Sequence, residues 1–200
     1  MTLRFDEAYY RRFYKDPSTR VYDQARHARL VTGVVSLAEW FGLELNDVLD
    51  VGAGLGWWGQ WLRKHRKGVR VVSTELEREI CEKYGHRQAD LTTFRLPQKF
   101  DLVICQGVLP YLDARGAEAA IENLAAMSGG LLYLEAITKD DMKDAIDAQR
   151  TDLRVNLRPA AWYRKRLAPH FREVGAGLYA ARAAHLPFFA LEAPPERSRK

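Results

Sequence analysis

At 200 residues, 47% hydrophobic and 28% charged, the chain has the size and composition of one globular domain with a substantial core. No uncharged apolar run approaches membrane-span length, and Met1–Tyr14 is polar and charged rather than signal-like; two cysteines, Cys81 and Cys105, argue against a disulfide framework or zinc site and for a reducing cytoplasm. The net charge of +5 permits a nucleic-acid partner without requiring one, because the basic residues are scattered.

In chain order, residues 1–20 mix Phe5, Tyr9, Tyr10, Phe13 and Tyr14 with Arg11, Arg12 and Lys15, and Pro17 breaks any helix there. Leu30, Val34, Leu37, Ala38 and Phe41 make a helical stripe over about 24–41, which Gly42 stops. A first strand at Val48–Val51 then runs into Gly52-Ala53-Gly54-Leu55-Gly56, and a Trp-rich helix starts at Trp57. Trp58, Trp61, Leu62 and His65 share one face of that helix, so Trp58 and Trp61 read as core, while Trp57 lies nearest the glycines. Val69–Ser73 is a second strand ending at Thr74-Glu75; Arg87–Ala89 is a short third strand ending at Asp90; Phe100–Cys105 is a fourth, continuing into Gln106. Asp113 caps a helix that Ser128-Gly129-Gly130 ends, and Leu131–Ile137 is a fifth strand. Thr138-x-x-Asp141 has capping-box form, Pro159 suits the first turn of a further helix, and Phe171–Arg182 and Leu186–Glu192 read as two closing strands joined at Ala183–His185. Pro194–Lys200 reads as a disordered tail.

Strands alternating with helices imply a parallel sheet, and ligands of such sheets bind outside the carboxyl ends of the strands. The glycine turn therefore marks a nucleotide-type site. Gly54-Leu55-Gly56-Trp57-Trp58-Gly59 also spells G-x-G-x-x-G, with Glu75 farther on, which keeps an NAD(P)-dependent oxidoreductase open. Against it stands Asp50, whose charge would repel a pyrophosphate but favour an ammonium and a sulfonium. Asp50-x-Gly52-x-Gly54-x-Gly56 resembles motif I of the class I S-adenosylmethionine-dependent methyltransferases, and the resemblance extends over nearly all of the chain.

That resemblance implies a three-layer α/β/α Rossmann-like sandwich with a seven-stranded sheet of order 3-2-1-4-5-7-6, strand 7 antiparallel. It implies a domain over 47–193 behind an N-terminal helical lid (1–46), with 138–168 as a substrate cap and 194–200 as tail. The cofactor implied is S-adenosyl-L-methionine, leaving as S-adenosyl-L-homocysteine. Carried over by motif position, Glu75 accepts from both ribose hydroxyls beside Leu76; Asp90 accepts from the adenine amino group with Leu91 on the ring; Gly52, Ala53, Gly54 and Gly56 form the turn; Asp50 faces the ammonium; and Gln106 lines the methionine end.

The D/N-P-P-Y/F signature of exocyclic-amine methyltransferases is absent from Gln106–Tyr111, and no Pro-Cys pair supports a cytosine-C5 mechanism. A small-molecule O or N acceptor is the favoured reading. An RNA or protein methyltransferase and a non-catalytic S-adenosylmethionine-binding protein remain open. Tyr111 and Glu135, near the ends of strands 4 and 5, are the candidate catalytic groups, whereas His27, His65, His86, His170 and His185 read as surface or packing residues. Tyr10 and Tyr14 either fold over the cofactor or cover an apolar edge. The acceptor and the oligomeric state are not legible.

Overall fold

The computed structural model describes residues 5–143 and 145–194. The expected tail therefore lies, apart from Pro194, outside the described residues. Seven strands form one sheet in the order β3-β2-β1-β4-β5-β7-β6. They are β1 (Asp47–Val51), β2 (Arg70–Glu75), β3 (Arg87–Gln88), β4 (Phe100–Gln106), β5 (Ser128–Glu135), β6 (Phe171–Gly175) and β7 (Leu178–Ala181). The β1–β5 pairings are parallel, and β7 runs antiparallel to both β5 and β6.

The central strands are apolar on both faces because helices cover both sides. Val48, Leu102 and Leu131 pack with α2 (Gln24–Trp40) and α3 (Trp57–His65), through Val31, Val34, Val35, Trp58 and Leu62. Leu49, Val103 and Leu132, one residue farther along each strand, pack on the opposite face with α5 (Ala114–Met127) and α6 (Ala160–Leu167). The alternation of side chains along a strand thus builds two cores from one sheet. Helix α4 (Arg78–Tyr84) connects β2 to β3.

Asp23 caps α2 through the Arg26 amide, and Asp113 caps α5 through the Gly116 amide. Gly42, at φ 78°, ends the α2 segment. The short helix α1 (Glu7–Tyr10) continues into a π-helical turn, Arg11–Lys15, which swings the N-terminal aromatics over the carboxyl ends of the strands.

Three expectations need correction. The closing hairpin lies wholly within Phe171–Ala181: Ala176 (φ 50°) and Gly177 (φ 79°) turn the chain there, not Ala183–His185. Residues 186–192 add no strand; Phe188 packs edge-on against Phe41, and Trp40 Nε1 donates to Glu192 Oε1. Thr138 and Asp141 do bond as a capping pair, at 2.8 Å from the Thr138 amide, but turns rather than a helix follow.

Candidate cofactor and acceptor site

The turn after β1 is shaped by its glycines. Gly52 sits at φ 67°, and a Cβ placed there would lie 2.3 Å from Val108 Cγ2. Gly54 sits at φ 53°, and its Cβ would fall 3.0 Å from Tyr10 Cε1. Neither position admits a side chain, so backbone alone faces the cavity. Gly59 differs: it is helical, and a Cβ there meets only the flexible end of Arg63. The tight glycine register is thus 52-54-56 and not the dinucleotide spacing 54-56-59.

Around this turn lies a cavity of about 350 Å³, within the range of small-molecule sites. Asp50, the 52–55 turn, Glu75, Leu76, Asp90, Leu91 and Gln106 all border it, as do Tyr10, Tyr14, Trp57 and Tyr111. All the cofactor positions read from the sequence except Gly56 therefore converge on its wall; Gly56 ends the turn and stands before α3 at φ 70°. Phe5, Tyr9, Tyr22, His27 and Trp58 complete an aromatic enclosure. Among the described lining residues there is no lysine or arginine.

Glu75 is 6% exposed and fully engaged. Its Oε2 accepts from the Gly54 amide at 2.9 Å and from the Tyr10 hydroxyl at 3.3 Å, and its Oε1 from the Leu76 amide at 2.6 Å. The glycine turn and the end of β2 are thereby one unit, reinforced by the Ala53 amide on Thr74 O at 2.9 Å. Asp50 is 2% exposed, and its Oδ2 is the one buried side-chain N or O atom without a hydrogen-bond partner among the described residues. Burial, and then the nearby Glu75 charge, push its carboxyl up to about 7. A buried acceptor left open on a cavity wall calls for a donor, and a cationic one restores the charge. An ammonium fits that need. Asp90 spends Oδ1 on the Thr92 amide and hydroxyl, both at 2.8 Å, and sits exposed at the rim beside buried Leu91.

At the β4–β5 side, Gln106 organises a network that spacing alone does not reveal. Its Oε1 accepts from Trp58 Nε1 at 2.8 Å and contacts His27 Nε2 at 3.1 Å; its Nε2 donates to Glu135 Oε2 at 3.0 Å and to the Tyr22 hydroxyl at 3.2 Å. Glu135 also accepts from the Tyr133 hydroxyl at 3.3 Å and stands behind Gln106 rather than on the cavity wall. Burial raises its carboxyl above the ordinary range. Tyr111 does line the cavity, yet its hydroxyl is bonded to Tyr9 at 2.7 Å and to Asp152 at 3.4 Å. His65, His170 and His86 face Trp61, Glu122 and the Gly54 carbonyl respectively, outside the cavity wall. His27, read from the sequence as a packing residue, is on that wall at 5% exposure. Cys105 is fully buried, and that burial raises its thiol far above the range of a nucleophile.

The sequence family described as "Methyltransferase domain" matches residues 22–192. No curated protein matches the chain in sequence. Among solved structures, a sugar N-methyltransferase from a Streptoalloteichus species superposes with a TM-score of 0.65 at 19% identity, over 91% of this chain and 96% of that one. An amino pentose methyltransferase from Micromonospora echinaspora, solved with S-adenosylmethionine, gives 0.63 at 18% identity over 91% and 98%. Magnesium protoporphyrin IX methyltransferase from Synechocystis, solved with S-adenosylhomocysteine, gives 0.58 at 21% over 78% and 83%. At these identities the structural likeness is one of fold.

Proposed function

The chain belongs to the methyltransferase-domain family, an S-adenosylmethionine-dependent enzyme by that membership, and we propose that it methylates an O or N atom of a small neutral or cationic molecule. The observation that supports this reading is the cavity lining: aromatic rings surround it, and none of its described lining residues is a lysine or arginine. An anionic acceptor would find no lysine or arginine on that wall to pair with. The sugar and porphyrin acceptors named for the structural neighbours are likewise small molecules.

Glu75 would hold the ribose hydroxyls, since an ionised carboxylate can only accept and each hydroxyl has a proton to donate. Asp50 would face the ammonium, Asp90 the adenine amino group, and Leu91 the ring. When bound, the cofactor supplies an electrophilic methyl group on a sulfonium. The protein's part is alignment and the exclusion of water, both of which a cavity walled by aromatic rings favours. The N-terminal aromatics and the 138–168 segment would cover the acceptor: the Asn156 amide binds Pro110 O at 2.7 Å, which holds that segment against the end of β4.

An assay of S-adenosylhomocysteine formation over amines, amino sugars, phenols, carboxylic acids, transfer RNA and a protein extract tests the reading. Turnover confined to neutral or cationic small molecules supports it; turnover of RNA or protein alone overturns it.

A further inference from the structure

His27 lies in the first turn of α2 and faces partners from three other elements. Its ring stacks on Tyr22 at 5.8 Å and 22°, and meets Trp57 and Trp58 at 5.2 and 5.5 Å. The contact with Gln106 fixes which ring nitrogen donates to it. An indole N–H can only donate, so the atom of Gln106 that receives Trp58 must be the carbonyl oxygen. The same oxygen faces His27 Nε2, so Nε2 carries a proton, and in the neutral ring Nδ1 carries the lone pair. Nδ1 has no partner among the described residues, yet only Asp50 Oδ2 is both buried and unpartnered there. Nδ1 is therefore not sealed off, on a ring that lines the cavity.

We propose that His27 Nδ1 takes the acceptor's proton during methyl transfer. The proposal rests on the methyltransferase reading. As the acceptor's lone pair forms the bond to the methyl carbon, the carbon–sulfur bond breaks and its electron pair stays on sulfur. The proton from the acceptor O–H or N–H passes to Nδ1, and the resulting imidazolium keeps its Nε2–H on Gln106 until it loses the new proton to water. Burial keeps the free imidazole neutral at neutral pH, and the positive end of α2 acts in the same sense. The groups around it agree: Tyr22 on the preceding loop and Tyr14 from the N-terminal turn are neutral phenols raised by burial, and Arg26 on α2 is exposed. Glu135 and Tyr133 of β5 lie beyond Gln106, which separates them from the ring.

The test starts with nitrogen NMR of histidine-labelled protein, alone and with S-adenosylhomocysteine, with the His27 signals identified by their loss in His27→Gln. The expected result is a protonated Nε2, a bare Nδ1 and a titration below the ordinary value of about 6.5. Trp58→Phe, which removes the donor that orients Gln106, should mix the two tautomers. A dominant Nδ1–H form, or an imidazolium at neutral pH, overturns the proposal. With an acceptor that turns over, His27→Gln should lower kcat about 100-fold or more, leave KM and S-adenosylhomocysteine affinity within about threefold, and remove the acidic limb of the pH profile. An unchanged kcat overturns it. Failure of the wild type to bind S-adenosylhomocysteine overturns the underlying reading, whereas binding with the wrong tautomer overturns this proposal alone.

Discussion

The Tyr10 hydroxyl donates to Glu75 Oε2 at 3.3 Å, on the same oxygen that the Gly54 amide reaches at 2.9 Å. The N-terminal helix is thereby hydrogen-bonded to the one carboxylate suited to ribose hydroxyls, and a bound nucleoside would compete with Tyr10 for it. Tyr10→Phe should therefore tighten S-adenosylmethionine binding by up to about fivefold, the net worth of one hydrogen bond. Glu75→Ala should weaken it by well over tenfold, since charge-assisted bonds are lost. Calorimetry on both variants checks the pair; equal affinities in folded Glu75→Ala and wild type would remove Glu75 from the site.

Asp50 makes a prediction in pH. Burial raises its folded-state carboxyl to about 7, above the unfolded value near 3.8. Stability from this group is present below the unfolded value and lost as pH rises through about 7, because ionisation costs more in the folded protein. An ammonium beside it reverses the preference. Cofactor affinity should thus rise between pH 6 and 8 in the wild type, and Asp50→Asn should flatten that rise while raising the melting temperature of the ligand-free protein at pH 8. An unchanged slope in the variant would separate Asp50 from the cofactor.

Gly52→Ala combines two costs: a left-handed backbone of about 1–2 kcal/mol and a methyl group driven into Val108 Cγ2. The variant should lose stability and cofactor binding together. Adding Val108→Ala makes room and should recover part of the melting temperature, but not the backbone share. Full recovery in the double variant would show that the glycine is needed for space alone.

Tyr9, Tyr111 and Asp152 form a chain of hydrogen bonds from the N-terminal helix, through the end of β4, to the 138–158 segment. Asp152 can only accept, so Tyr111 donates to it and Tyr9 donates to Tyr111. Tyr111→Phe breaks both links. Amide exchange in residues 7–15 should speed up markedly, with little change in global melting temperature, because this is a local opening. Unaltered exchange would mean that the aromatic contacts of Phe5 and Tyr9 hold the helix alone.

Much of this was legible in the sequence because it is written locally. Asp50, the glycines and Glu75 lie at strand ends, where alternation stops and turn residues begin, and β1, β2 and β4 were read within one residue at most ends. The hairpin turn is hidden in the sequence because Ala176-Gly177 sits inside a run of small apolar residues with no Asn, Asp or Pro to punctuate it. Leu186–Glu192 has the composition of a strand, yet Phe188 packs on Phe41 at the end of the α2 segment while Phe189 and Leu191 stay exposed. His27 reads from the sequence as a packing residue for another reason: what distinguishes it is contact with Gln106, 79 residues away, and no periodicity in α2 records that pairing.

The central claim, an S-adenosylmethionine site built on Asp50, the glycine turn and Glu75, is tested most directly by thermal-shift titration. S-adenosylmethionine, S-adenosylhomocysteine, NADH and NADPH would be compared side by side. The first two, at about a hundred times their dissociation constants, should stabilise the protein by roughly 2.7 kcal/mol, a shift of a few degrees. The nicotinamide cofactors should leave it unchanged. Stabilisation by a nicotinamide cofactor alone, or by none of the four, would contradict the account.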